Sequence, residues 1–286
     1  MFVITLVSPD PAALAEAVIA VRGALAVTAE TPLGEGALDL FIDASPAVPV
    51  AELVGDRPVD FTVQPVENRR KRLLIADMDS TIINVECLDE LADFAGVKAQ
   101  VSEITERAMR GELAFEGALR ERVGMLADLS VDALQFCYDD RVRLNPGART
   151  LVQTMAENGA RCALVSGGFT FFTTRVAQAA GFHLNRANTL IEADGKLTGQ
   201  VGDPILGKEA KLAALIEETA LLGLTPADAL AVGDGANDLA MIEAAGLGVA
   251  YRAKPIVAAQ ADARVDHADL TALLYFQGYR REEFAG

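Results

Sequence analysis

From Pro146 to the C-terminus, short apolar runs alternate with helical stretches, and no other feature limits the fold so tightly. Pro146–Asn158 reads as a helix stopped at Gly159, and Arg161–Val165 as a strand ending in Ser166-Gly167-Gly168. Phe169–Ala180 is a helix stopped at Gly181, and Lys208–Leu222 is another. Ala229–Val232 is a strand ending in Gly233-Asp234-Gly235-Ala236-Asn237-Asp238; helix Leu239–Ala245, strand Leu247–Tyr251, helix Pro255–Ala261, a short strand at Arg264-Val265 and helix Leu270–Phe276 follow. The polar stretch between, with Asn185, Asn188 and Asp194-Gly195, reads as turns with room for a hairpin. Strands alternating with helices predict an α/β, doubly wound parallel sheet. Such sheets bind ligands beyond the carboxyl ends of their strands.

An earlier apolar run, Leu73-Leu74-Ile75-Ala76, ends in Asp77-Met78-Asp79-Ser80-Thr81. Burying like charges together is costly unless a cation or hydrogen bonds offset it. The pair therefore suggests a metal or acid–base site. A polar turn, with Asp79 or Ser80 capping the next helix, is the simpler alternative. Ser166 and Asp238 can likewise be helix caps, and the glycines a tight turn. Three strand ends of this kind on one sheet edge are harder to explain as caps.

Between Asn84 and Asp140 the pattern is helical throughout, with Leu88, Leu91, Ala92 and Ala95 at helical spacing. Helices are expected near Val101–Arg110, closed by Gly111, from Phe115 through Leu126, and near Val131–Tyr138. Helix alone, inserted between strands, suggests a cap over residues 84–143.

The N-terminal part reads as strand Phe2–Val7, a helix Ala13–Leu25 with Asp10 as N-cap, strands at Val27–Ala29 and Leu38–Asp43, a short helix Val50–Val54, and a strand Val59–Val66. This β-α-β-β-α-β order is that of a small α+β ferredoxin-like domain. Residues 1–66 are expected to form it and 67–286 the main domain, with the basic run Glu67–Arg72 as a solvated linker.

With Lys+Arg 25 against Asp+Glu 41, the net charge of −16 argues against a nucleic-acid or anionic-membrane binder. An acidic chain that handles an anionic substrate must build a local positive site. Three cysteines, Cys87, Cys137 and Cys162, suit neither a disulfide framework nor zinc and point to a reducing, cytoplasmic compartment. The N-terminus lacks a basic segment before its apolar run, so no signal peptide is expected. No apolar run approaches the ~20 residues of a membrane span.

Asp-Met-Asp-Ser-Thr, then Ser-Gly-Gly, a helix-borne Lys and Gly-Asp-Gly-Ala-Asn-Asp together resemble the motif set of haloacid dehalogenase (HAD) superfamily phosphatases. Within it, residues 76–86, 109–122 and 233–238 are similar to the phosphoserine phosphatases. The resemblance spans Lys71 to the C-terminus. The N-terminal part resembles ACT-type modules in topology only, and a homodimer through it is one expectation.

The resemblance implies a HAD-like fold with a helical cap and a Mg²⁺-dependent hydrolysis of O-phospho-L-serine, the last step of serine biosynthesis. It assigns Asp77 as nucleophile and Asp79 as general acid and base. An aspartate is already ionised at neutral pH, so Asp77 needs no base, but a dianionic phosphate would repel it without a cation. The metal would sit on Asp77, Asp234 and the backbone carbonyl of Asp79, with Asp238 in or near that shell. Ser166, Gly167, Lys211 and Asn237 would bind phosphate. Lys208 shares a helix face with Lys211 and is the competing lysine. Glu86, Met109, Phe115 and Arg122 match the substrate pocket, with Glu86 for the ammonium and Arg122 for the carboxylate. On its own residues, Arg122 reads rather as a snorkelling side chain beside a core stripe, and only the resemblance turns it into a carboxylate clamp. Another small phosphomonoester, or phosphoryl transfer to another hydroxyl, is the alternative chemistry.

Overall fold

The computed structural model describes residues 1–109 and 112–286. The N-terminal part contains β1 (Phe2–Val7), α1 (Pro11–Ala24), β2 (Val27–Gly34), β3 (Ala37–Ile42), α2 (Val50–Val54) and β4 (Asp60–Pro65). The Asp10 carboxylate accepts from Ala12 N at 2.9 Å and caps α1 as expected. Strand β2 runs well past the expected Ala29, through Pro32 to Gly34.

The central strand is β5 (Leu73–Ala76), followed by the helices α3 (Cys87–Phe94), α4 (Lys98–Met109), α5 (Phe115–Gly124) and α6 (Asp132–Arg141). The chain then forms α7 (Ala148–Glu157), β6 (Arg161–Phe169), α8 (Thr170–Ala180), β7 (Leu184–Asn188), the hairpin β8 (Leu190–Ala193) and β9 (Lys196–Val201), and α9 (Lys208–Leu221). It closes with β10 (Ala229–Gly233), α10 (Leu239–Ala244), β11 (Leu247–Tyr251), α11 (Pro255–Ala258), β12 (Ala263–Val265) and α12 (Ala272–Phe276).

Strands β12, β11, β10, β5, β6 and β7 lie side by side and parallel. The chain leaves β5 for β6 and β7 on one side, then returns to β10 on the other. The carboxyl ends of β5, β6 and β10 thus share one edge, at the point where strand order reverses. Alternation along β5 supplies both faces of the core. Leu73 and Ile75 pack with Ala163, Val165, Ala231, Leu215 and Met241; Leu74 and Ala76 pack with Leu164, Val232, Leu151 and Met155. Each fully buried Leu or Ile side chain here contributes about 1.5–3 kcal/mol.

The insert is helical as expected, and its Gly111 stop lies outside the described residues. Hairpin β8–β9 packs on it: Leu197 N donates to Leu129 O at 2.9 Å and Asp128 N to Leu197 O at 2.9 Å. Three expectations need correction. Ser166-Gly167-Gly168 does not end its strand; β6 continues to Phe169 with a register shift after Val165. The polar stretch after Gly181 holds the strand β7 as well as the hairpin.

The basic run 67–72 is not a solvated linker. The N-terminal strands, ordered β2-β3-β1-β4, join the main sheet where Phe61 of β4 pairs antiparallel with Arg264 of β12, giving ten strands in all. Arg69 crosses this junction. Its guanidinium grips both Asp39 oxygens at 2.6 and 2.7 Å, and donates to Thr5 Oγ1 at 2.6 Å and to the Phe276 carbonyl at 2.8 Å. The Lys71 ammonium, also buried, donates to the Asn68 and Ala227 carbonyls. Arg70 lies over the Tyr279 ring, 4.1 Å from its centroid. Removing one partner from a buried pair leaves a charge without compensation. Asp39→Ala is therefore expected to destabilise the chain by about 3–5 kcal/mol in urea unfolding, and Asp39→Leu with Arg69→Met to recover most of that loss.

Candidate active site

Asp77 follows β5 with extended backbone, and its N–H donates to Val232 O of β10 at 3.0 Å. The chain then turns tightly through Met78–Ile82, with Ser80 at φ 56 and Ile83 N bonded to Met78 O. A positive φ is uncommon for serine. The turn keeps Asp79 extended and returns the chain toward the insert.

The other strand ends converge on Asp77. Lys211, from the first turn of α9, is 2% exposed and lies 2.6 Å from Asp77 Oδ1 and 2.5 Å from Asp238 Oδ1. Burial alone would lower the Lys211 ammonium, but the two carboxylates outweigh it and hold it above its ordinary value. Asp238 Oδ2 accepts from Gly235 N at 2.9 Å and Asp234 N at 3.2 Å, which sets the loop after β10. A Cβ on Gly233 would fall 2.4 Å from the Asp238 carboxyl, so only glycine fits there. Asp234 accepts from Thr81 Oγ1 at 3.2 Å. Asp77, Asp234 and Asp238 each place one oxygen within 4.8 Å of the others.

Three carboxylates face one ammonium. Burial, then the Asp238 charge, push the Asp77 carboxyl well above the usual carboxylate range. The same two causes raise Asp234 to about 6. Hard oxygen donors with excess negative charge fit a divalent cation. Asp77, Asp234 and Asp238 are the side chains that could hold it, and Asp238 also serves the lysine and the loop.

Asp79 lies apart from this cluster. It is buried, accepts from Cys87 N at 3.0 Å and from Ser166 Oγ at 3.3 Å, and is raised to about 7, chiefly by burial and then by the Glu86 charge. Ser166 Oγ in turn accepts from Gly168 N at 2.8 Å. A Cβ on Gly168 would fall 2.8 Å from Asp79 Oδ2, so the glycine lets the general-acid candidate and the Ser-Gly-Gly loop approach.

A haloacid dehalogenase-like hydrolase family model matches residues 74–243. The chain belongs to that family. It is 48% identical over 208 residues to the phosphoserine phosphatase of Polaromonas sp., covering 71% of this chain and 88% of the relative. A HAD family hydrolase of Salmonella enterica serovar Typhi superposes with a TM-score of 0.86 at 29% identity over 96% of this chain and 98% of that one. A substrate-bound phosphoserine phosphatase complex gives 0.67 at 38% identity over 72% and 98%. This HAD-family chain is a phosphatase with the HAD-like fold. Among its described residues no helix is long and apolar enough to cross a membrane.

Within this hydrolase the two lysines separate clearly: Lys208 is exposed beside Glu209, and Lys211 is the buried one. Phe115 opens α5 against the phosphate-loop candidates; a Cβ on Gly167 would lie 3.4 Å from its ring. Arg122 is half-buried, donating to Ala118 O at 3.2 Å and Thr105 Oγ1 at 3.5 Å, and among the described residues no carboxylate pairs with it. Burial lowers its guanidinium, against the raising charges of Asp89 and Glu86. Glu86 is exposed and accepts from Ser80 Oγ at 2.6 Å. Asn237 is half-buried on the Asp234–Asp238 loop. The Met109 side chain lies outside the described residues.

Sequence reasoning missed two residues of this hydrolase. Thr81 bonds Asp234 across the site, and buried Asn188 bonds the Gly167 carbonyl at 2.9 Å. Thr81 carried a weak signal, since it closes the Asp-Met-Asp-Ser-Thr run. Asn188 carried none, because its stretch was read as turns.

Proposed function

We propose that this phosphatase hydrolyses O-phospho-L-serine to L-serine and phosphate through an aspartyl-phosphate on Asp77. The observation that carries this reading is the division of labour between the two aspartates. Asp77 sits against Lys211 in a cluster suited to a cation, and Asp79 stands outside it with a carboxyl near 7. Mg²⁺ is the proposed cation; when bound it neutralises the phosphate and the carboxylates around it.

Asp77 Oδ attacks phosphorus; the bond from phosphorus to the serine oxygen breaks, and Asp79 gives that oxygen its proton. A water then attacks the phosphoenzyme, Asp79 takes its proton, and phosphate leaves with Asp77 regenerated. Proton transfer of this kind contributes typically about 10²–10⁴-fold. Lys211, Ser166, Asn237 and the Gly167 N–H hold phosphoryl oxygens. Arg122 takes the substrate carboxylate, for which a planar guanidinium is well shaped, and Glu86 the ammonium. Met109 and Phe115 complete the pocket under the cap of residues 84–143.

Phosphate release from phosphoserine, with and without Mg²⁺, tests this reading; no metal-dependent turnover would refute it. Arg122→Ala is expected to raise KM for phosphoserine about tenfold to a hundredfold with a smaller change in kcat, in steady-state assays.

We further propose that residues 1–66 form an ACT-like module that pairs two chains, and that residues 67–286 carry the chemistry. Sedimentation of the full chain checks the pairing. Three buried, unpaired cysteines support a cytoplasmic setting.

A further inference from the structure

Asn188 ends β7 and is 2% exposed. A buried amide without partners would be costly, and this one is well bonded. Its Nδ2 donates to Gly167 O at 2.9 Å and to Leu206 O at 3.3 Å; its Oδ1 accepts from Leu206 N at 2.7 Å. One side chain thus ties the Ser-Gly-Gly loop to the residue just before Gly207, the N-cap of the Lys211 helix.

The peptide between Gly167 and Gly168 is held at both ends. Its carbonyl accepts from Asn188, and its N–H donates to Ser166 Oγ at 2.8 Å. A peptide is planar, so fixing the carbonyl fixes the direction of the N–H. With one lone pair of Ser166 Oγ taken by that N–H, its own O–H is left for Asp79 Oδ2, 3.3 Å away. Phe115 rests on both tied segments: Cβ atoms on Gly167 and Gly207 would lie 3.4 and 3.5 Å from its ring.

We infer that Asn188 is a positioning residue that orients the Ser166 hydroxyl through the 167–168 peptide and keeps the phosphate loop in register with the Lys211 helix. The inference rests on the reading of Ser166-Gly167-Gly168 as the phosphate-binding loop. Asn188 touches neither substrate nor reacting atoms. A displacement of about 1 Å at such a loop is enough to cost about 10²-fold in rate.

The test is a double-substitution cycle on the full chain with Mg²⁺: Asn188→Ala, Ser166→Ala and both together. kcat and KM are measured on phosphoserine and on p-nitrophenyl phosphate, and the Kd for inorganic phosphate by calorimetry. Asn188→Ala is expected to lower kcat/KM about 10²-fold on both substrates and to weaken phosphate binding. The double variant should lose no more than about threefold beyond Ser166→Ala, because both changes remove the same oriented hydroxyl. Losses that multiply would overturn the inference, as a purely structural role predicts. Asn188→Asp preserves size if the alanine variant does not fold; it sets a carboxylate against the Gly167 carbonyl, and parental kcat/KM in it would also overturn the inference. A parent chain active on the aryl phosphate but not on phosphoserine would refute the substrate assignment alone, and the cycle on the aryl phosphate would still decide the role of Asn188.

Discussion

Asp77→Asn is expected to lower kcat on phosphoserine by about 10⁴-fold or more, as loss of a nucleophile does elsewhere. The carboxamide keeps the shape of the side chain and an acceptor for Lys211, which lies 2.6 Å from Asp77 Oδ1. It has no anionic oxygen with which to attack phosphorus. The substitution also relieves the crowding of Asp77, Asp234 and Asp238. The metal-free melting temperature should therefore hold or rise while turnover disappears. Phosphate release and calorimetry on one preparation separate the two effects. Retained turnover would overturn the nucleophile assignment, and a large fall in melting temperature would show that Asp77 is chiefly structural.

Lys211→Met should act in the opposite sense on stability. Methionine nearly fills the same space but leaves the buried Asp77 and Asp238 carboxylates without their shared cation. Breaking a buried ion pair from one side costs about 3–5 kcal/mol, and urea unfolding of the metal-free variant should show a loss of that size. Millimolar Mg²⁺ should restore part of it, because any ligand bound only by the folded state stabilises that state. Lys208→Met, on the exposed side of the same helix, should change stability by no more than about 0.5 kcal/mol. Turnover should fall with Lys211→Met and remain with Lys208→Met. Equal effects of the two substitutions would refute the distinction between them.

Elements read well from the sequence where local pattern and tertiary environment agree. Strands β5, β10 and β11 are apolar along their length because both faces of the sheet are covered. Each is followed by residues that break the pattern, so the site-bearing ends were visible too. Strand β7 was missed because it lies at an open edge. Its Leu-Asn-Arg-Ala-Asn sequence tolerates polar residues, and Arg186 reaches across to Glu217 and the buried Glu218. The run 67–72 misled for a different reason: the partner of Arg69 is Asp39, thirty residues earlier, and no local rule connects them. Asp77, Asp79, Ser166, Lys211, Asp234 and Asp238, which the structure brings together, stood out in the sequence because most of them follow apolar strands that break off into polar residues. Asn188 did not, since its role exists only once Gly167 and Leu206 lie on either side of it.

The seam between β4 and β12 is also a seal. Two separate sheets would leave four strand borders with unpaired amides and carbonyls, each a template for another chain. The continuous sheet leaves only β2 and β7 at its ends. On β2, Pro32 lacks an N–H and Glu30 is held by Arg22, both of which blunt that border. Cutting the chain before Leu73 would unpair Arg264 of β12 and free the backbone amides of residues 266–268 that Asp60 now occupies. The strands ahead of Leu73 thus close a border that the parallel strands alone would leave open.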